Sequence, residues 1–139
     1  MTRFFRHVPL FAVLWIIYNL VILAGQGDGL QQALFGVGLP SGARWAVSGA
    51  DILLIAGVLA LYVEIFKATR TGASSLLDHS LSVIVFILFV VEFLTVPGAG
   101  TSTFLILAVM SLIDVVAGFT VTIVSARRDV AFSSHAEGQ

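Results

Sequence analysis

Four long apolar runs, separated by short polar or glycine-rich stretches, set the pattern of this chain. They cover roughly residues 8–24, 44–66, 78–96 and 103–125. At about 1.5 Å per residue, a helix of this length crosses a hydrocarbon core of about 30 Å, the first only when nearly upright. The ends carry matching signals. Pro9 suits a first helical turn, where its missing N–H costs nothing. Lys67 and Arg70 fall in the last turn of the second helix, with Gly72 as its breaker. Ser75, followed three residues later by Asp78, fits a capping pattern for the third. Pro97-Gly98-Ala99-Gly100 predicts a tight turn, with Thr101 or Ser102 capping the fourth helix and Arg127 and Arg128 closing it. The pattern predicts an all-α membrane protein: four transmembrane helices in an up-down-up-down bundle, one domain over residues 1–128, and a short, disordered cytoplasmic tail over 129–139.

The longest connection, residues 25–43, is glycine-rich and holds Asp28, Gln31 and Gln32. Leu30, Ala33, Leu34 and Val37 recur there at helical spacing, which predicts a short interfacial helix.

Composition agrees with the membrane reading. Hydrophobic residues make up 58% of the chain, mean hydropathy is +1.05, and only 11% of residues are charged; a soluble domain carries about 25%. Charge placement adds an orientation. Six of the seven Lys and Arg residues (Arg3, Arg6, Lys67, Arg70, Arg127, Arg128) flank the runs on one side, and Arg44 alone falls on the other. The positive-inside rule then puts both termini in the cytoplasm. Arg3 and Arg6 before an apolar stretch also resemble a secretory signal. Ile22, however, would occupy the −3 position for cleavage after Ala24, so the first run is read as a retained span.

Several function classes fall away. A net charge of −1 leaves no polybasic face for nucleic acid. With no cysteine there are no disulfides, thiolate metal sites, iron–sulfur clusters or thiol nucleophiles. Gln26 stands where a lipoprotein would need its modified cysteine. There is no glycine-rich phosphate loop, no paired-His zinc face and no nucleophile elbow. The fourth run has no internal Arg for voltage sensing. The expectation is a non-enzymatic protein without a cofactor.

The remaining chemistry lies in acids within the apolar runs, where a central Asp costs about 2.5–3.5 kcal/mol unless it is offset. Asp114 sits near the middle of the fourth run. Ser111, Asp114, Gly118, Thr122 and Ser125 share one helical face, a small and polar stripe on an apolar helix. Three readings stay open: a helix–helix contact face, a proton or cation site, or a docking face for another subunit. Glu92, in the third run, and Asp51, in the second, lie at similar depth and could share a proton or bind a cation. Asp51 also follows Ser48 by three and fits a capping box at a later helix start. Glu92 is also within reach of Tyr18 or Asn19 on the first run. Asn19 is costly in lipid and should face the bundle. Glu64, with Lys67 and Arg70 nearby, reads as an interfacial ion pair. His7 and His79 read as solvated interfacial side chains; a pair of haem ligands is the alternative. Trp45, Phe93 and Phe104 on the outer side, and Phe4, Phe5, Tyr62 and Phe66 on the inner, read as interfacial anchors.

Several stretches carry a resemblance. They are Tyr18-Asn19, Lys67 to Gly72, Asp78-His79, Glu92-Phe93-Leu94 before Pro97-Gly98, Thr101 to Phe104, Ile113 to Phe119 and Ala126 to Asp129. Together they resemble a set of proteobacterial four-span inner-membrane proteins. The resemblance implies a multi-pass protein of the bacterial inner (plasma) membrane. It implies no activity and assigns no functional residue.

Two function classes follow as expectations. One is an accessory or scaffold subunit of a larger membrane assembly. The other is a small proton- or cation-coupled carrier or channel, with Asp51, Glu92 and Asp114 as its carboxylates. For the chain under either class the expected partners are the lipid bilayer and either another protein or further copies of itself.

Overall fold

A computed structural model describes residues 8–25, 28–69 and 74–136, with side chains described over 8–25, 29–69 and 79–124. Four α-helices account for most of these residues: α1 (Leu10–Leu23), α2 (Gly49–Ala68), α3 (Ser74–Thr95) and α4 (Ser102–Ala136). Two of them, α2 and the Ser102–Val124 part of α4, are long and apolar enough to cross a membrane. Leu10–Leu23 and His79–Thr95 are shorter apolar helices.

Each helix end has a local cause. Pro9 precedes α1 with φ −62° and ψ 130°, an extended backbone that the chain leaves at Leu10. The exit of α1 is a left-handed Gly25 at φ 70°, whose N–H returns to the Ile22 carbonyl at 2.9 Å; only glycine adopts that conformation without steric cost. Helix α2 starts at Ser48 in a full capping box. The Asp51 N–H donates to Ser48 Oγ at 3.2 Å, and the Ser48 N–H donates to Asp51 Oδ2 at 2.8 Å. Ser48→Ala should lower stability by about 1 kcal/mol, read as an earlier midpoint when the purified protein is unfolded in a mixed micelle titrated with dodecyl sulfate. Thr101 caps α4, accepting the Phe104 N–H at 3.2 Å. Pro97–Ala99 forms the expected tight turn, as one turn of 3-10 helix.

Helix α4 is the centre of the bundle and packs along both α2 and α3. Phe89, Phe104, Leu107 and Tyr18 form the core, with the Tyr18 and Phe104 rings 4.7 Å apart and the Phe89 and Phe104 rings 5.1 Å apart. Gly57 lets α2 approach α4 closely: a Cβ there would lie 2.8 Å from Leu107 Cδ2 and 2.9 Å from Met110 Sδ. Small residues at helix contacts are the usual means of close packing between apolar helices.

The sequence reading is corrected at four places. Residues 44–48 are not the start of the second helix; they form strand β2 (Arg44–Ser48), antiparallel to β1 (Ala33–Gly38). The outer connection is therefore not an interfacial helix but one 3-10 turn (Asp28–Gln31) followed by a hairpin. Gly36 and Gly38 weaken a helix at alternate positions, and Gly42, at φ 84°, supplies the turn. Helix α3 is already formed at Ser74, so Ser75 is not its cap. Finally, α4 passes through Arg127 and Arg128 and ends at Ala136, so the tail from Asp129 is mostly helical. No Gly or Pro interrupts it between Gly118 and Ala136. Arg70 and Gly72 lie outside the described residues.

Candidate functional site

A seam of buried polar side chains runs through the bundle where the helices meet. It has three nodes, each built around one carboxylate.

The inner node is Glu64, buried on α2. Its Oε1 accepts the Leu10 N–H at 2.6 Å. Pro9 has no N–H, so Leu10 carries the first donor of α1, and this position offers no side-chain cap of its own. Glu64 supplies the cap from a different helix, and its negative charge meets the positive end of the α1 dipole. Lys67 Nζ completes the node, 2.9 Å from Glu64 Oε2 and 3.4 Å from the Val8 carbonyl oxygen. The ion pair with Lys67 is the expected one, and the start of α1 covers Glu64.

The middle node is Asp114, on the α4 face that faces both α2 and α3. Ser82 of α3 lies beside its carboxylate, and Glu64 and Lys67 of α2 lie near enough for their charges to act on it. The register explains this meeting. Gly57 touches Leu107; two helical turns further on, Glu64 and Asp114 stand seven residues beyond each. The Asp114 Oδ2 and Ser111 Oγ atoms are buried without a hydrogen-bond partner. Beyond Asp114, the His79 ring lies on the Gly118 backbone and is tilted against Phe119, with centroids 6.1 Å apart. His79 is thus buried, not solvated at an interface. His7 falls outside the described residues, so the haem alternative has no second described ligand. Thr122 is half-buried and its hydroxyl donates to the Gly118 carbonyl at 3.0 Å; the Ser125 side chain lies outside the described set.

The outer node is Glu92 of α3. Asn19 of α1 donates from Nδ2 to Glu92 Oε2 at 3.0 Å and to the Trp15 carbonyl at 3.0 Å. From the adjacent position of α1, the Tyr18 hydroxyl pairs with Thr101 Oγ1 at 2.6 Å, tying α1 to the cap of α4. Glu92 Oε1 and Trp15 Nε1 are both buried without partners. Asp51 does not join Glu92. Its carboxylate is turned to Ser48, so the two acids expected to share a site are separated. Phe104 is also corrected, from interfacial anchor to fully buried core; Tyr62, Phe66 and Trp45 are exposed, and Phe4 and Phe5 lie outside the described residues.

Among the described residues, no set of three or more acidic or histidine side chains is placed to hold a metal ion. The nodes can nonetheless do one thing firmly. In an apolar surrounding, a hydrogen bond or ion pair between helices has no competing water, so each node fixes the register of the helices it joins.

Reading the residues alone missed Glu64 as an inter-helix group. The signal was present: Gly57, Ala60, Glu64 and Ala68 repeat at spacings of three and four, a small and polar stripe like the one on α4, and all four are buried.

No known protein family, curated protein or solved structure matches the chain.

Proposed function

We propose that this chain is a four-span protein of the bacterial inner membrane, with both ends cytoplasmic, serving as a non-enzymatic accessory or scaffold subunit of a larger membrane assembly. One observation carries the membrane part: the bundle is inside out relative to a water-soluble one. Glu64, His79, Glu92 and Asp114 are buried, whereas among the described side chains the exposed positions on the four helices are Val, Ile, Leu, Phe or Tyr apart from Ser80, Thr95, Ser102 and Thr120. Two of those hydroxyls satisfy themselves on their own helix, Thr95 on the Val91 carbonyl at 2.7 Å and Thr120 on the Val116 carbonyl at 2.8 Å. Such a surface is suited to lipid and would aggregate in water. The Leu10–Leu23 and His79–Thr95 segments have the same apolar exterior as α2 and the described part of α4, which supports four spans over two.

The use of the acids supports the scaffold part. Glu64 caps α1, Glu92 holds Asn19, and Asp51 caps α2, so three of the four carboxylates among the described side chains are engaged in holding helices. Gentle extraction from native membranes tests this reading. The expected result is a particle larger than the chain, with a second protein in fixed ratio. A lone monomer or homo-oligomer sinks it. The unpartnered Asp114 Oδ2 would then favour the carrier reading, in which Asp114→Asn abolishes coupled flux without loss of folding.

Orientation has a separate test. The chain contains no cysteine, so single-cysteine variants carry no background. Ser41→Cys in the outer turn should react with an impermeant maleimide on intact spheroplasts, and Ser133→Cys only after lysis. Reaction at both sites before lysis would disprove the four-span topology.

A further inference from the structure

The hairpin between α1 and α2 is amphipathic across its two faces. Paired residues of antiparallel strands share a face, and neighbours along a strand alternate. Phe35 pairs with Val47 and Val37 with Trp45, while Gly36 pairs with Ala46 and Gly38 with Arg44. One face is therefore Phe35, Val37, Trp45 and Val47; the other is Gly36, Gly38, Ala46 and Arg44, while the exposed Leu34 falls at the bulge between Ala33 and Phe35 and has no cross-strand partner. Val47 is buried at the root of the hairpin, but Phe35, Val37 and Trp45 are exposed. A lone two-stranded hairpin is marginal in water, and this one leaves its apolar face uncovered.

The position of the hairpin names what covers that face. Helix α2 has 20 residues and spans about 30 Å, the depth of a hydrocarbon core. With its Lys67 end at one boundary, Gly49 stands at the other, and the residue before Gly49 ends the hairpin. The neighbouring helix ends give the same level. Ile22 lies against Gly98, 3.0 Å from where its Cβ would be, so α1 and α3 finish together. There Leu23 and Leu94 are 82% and 74% exposed, apolar side chains at the same end of the bundle as the root of the hairpin. The apolar face of the hairpin thus continues the apolar belt of the helices into the headgroup zone, where Trp and Arg are favoured.

Resting on the four-span reading, we propose that the β1–β2 hairpin lies on the outer leaflet as a lipid-bound element. Phe35, Val37 and Trp45 enter the acyl boundary, and Arg44 and the glycine backbone face the water side.

Trp45 reports on this directly. Trp15→Phe leaves Trp45 as the sole tryptophan and removes a buried N–H that has no partner. This variant is placed in nanodiscs, where both membrane faces meet the solvent. Lipid brominated near the headgroup end of its acyl chains should remove most of the Trp45 emission, lipid brominated at the chain terminus less, and aqueous iodide little. A companion variant, Leu59→Trp with Trp15→Phe and Trp45→Phe, probes the exposed middle of α2 and should be quenched most by terminal bromines. If Trp45 responds to iodide and not to brominated lipid, the hairpin stands in water and the proposal fails while the span survives. Protection of Trp45 from both quenchers means that protein covers the face, a second copy or a partner, and also overturns it. Failure of the companion to respond to any brominated lipid overturns the span reading itself and the hairpin with it.

Discussion

Glu64→Ala is expected to destabilise the protein by about 3 kcal/mol, and Glu64→Gln by about 1 kcal/mol. Two groups lose their partner in the alanine variant. The Leu10 N–H, the first donor of α1, is left without an acceptor where water is excluded, which costs about 1–3 kcal/mol. The Lys67 ammonium is left as an unpaired charge; breaking a buried pair in this way costs about 3–5 kcal/mol. Lys67 is 25% exposed, so it can extend toward the interface and recover most of its solvation; its cost falls to about 1 kcal/mol, and with about 2 kcal/mol for the uncapped N–H the total is about 3 kcal/mol. Glutamine keeps a carbonyl oxygen for the Leu10 N–H and forfeits only the ion pair. Unfolding in dodecyl sulfate mixed micelles gives the free energies, and amide hydrogen exchange at Leu10 and Phe11 gives their location. The alanine variant should exchange fastest at these residues. Equal losses for alanine and glutamine, with unchanged exchange at Leu10, would show that the cap on α1 contributes nothing and that the pair with Lys67 is the whole effect.

This clamp also shows what the sequence could and could not convey. The helices were legible because apolar runs with caps and breakers leave few alternatives: Thr101 and the turn at Pro97 stand where their residue types suggest. The start of α2 was harder. Trp45, Ala46 and Val47 continue the apolar run without a break, and so short a segment has no period that separates strand from helix. Only the Ser48 and Asp51 spacing marked the true start. The hairpin was hidden by two overlapping patterns, since Leu30, Ala33, Leu34 and Val37 fit a helix while Phe35 and Val37, alternating with glycines, fit a strand. Glycine settles it, being costly in a helix and well placed where a hairpin must turn. The polar stripe on α4 gave Asp114, and Asn19 was expected to face the bundle, because a polar group in an apolar helix must find a partner. Which partner it finds depends on register between helices. That is a long-range property, set by Gly57 against Leu107 and by His79 against Gly118, and local spacing does not contain it. For this reason Asp51 and Glu92, which stand at similar places along their apolar runs, are apart in the fold, while Glu64 and Asp114 are neighbours.

Gly118→Ala is expected to disturb the same register from the α3 side, at a cost of about 1–3 kcal/mol. A Cβ at this position would overlap the His79 ring at Nδ1 and Cε1 and stand 3.2 Å from Cγ. The ring is buried and rests against Phe119, so it cannot move aside without displacing α3 from α4. Ser82, one turn along α3, would be drawn away from Asp114 by the same shift, and the cost of Asp114 as a buried polar group would rise. Gly57→Ala is the contrasting case. Its Cβ meets Leu107 Cδ2 and Met110 Sδ, the ends of flexible side chains that can yield, so its cost should stay under about 1 kcal/mol. A double-mutant cycle isolates the cause. His79→Ala removes the ring and should by itself destabilise, but adding Gly118→Ala to it should then cost almost nothing, a coupling of about 1–3 kcal/mol between the two positions. If Gly118→Ala costs the same with and without the His79 ring, the contact between α3 and α4 is not what makes glycine necessary there, and helix register at the Asp114 node must be set elsewhere.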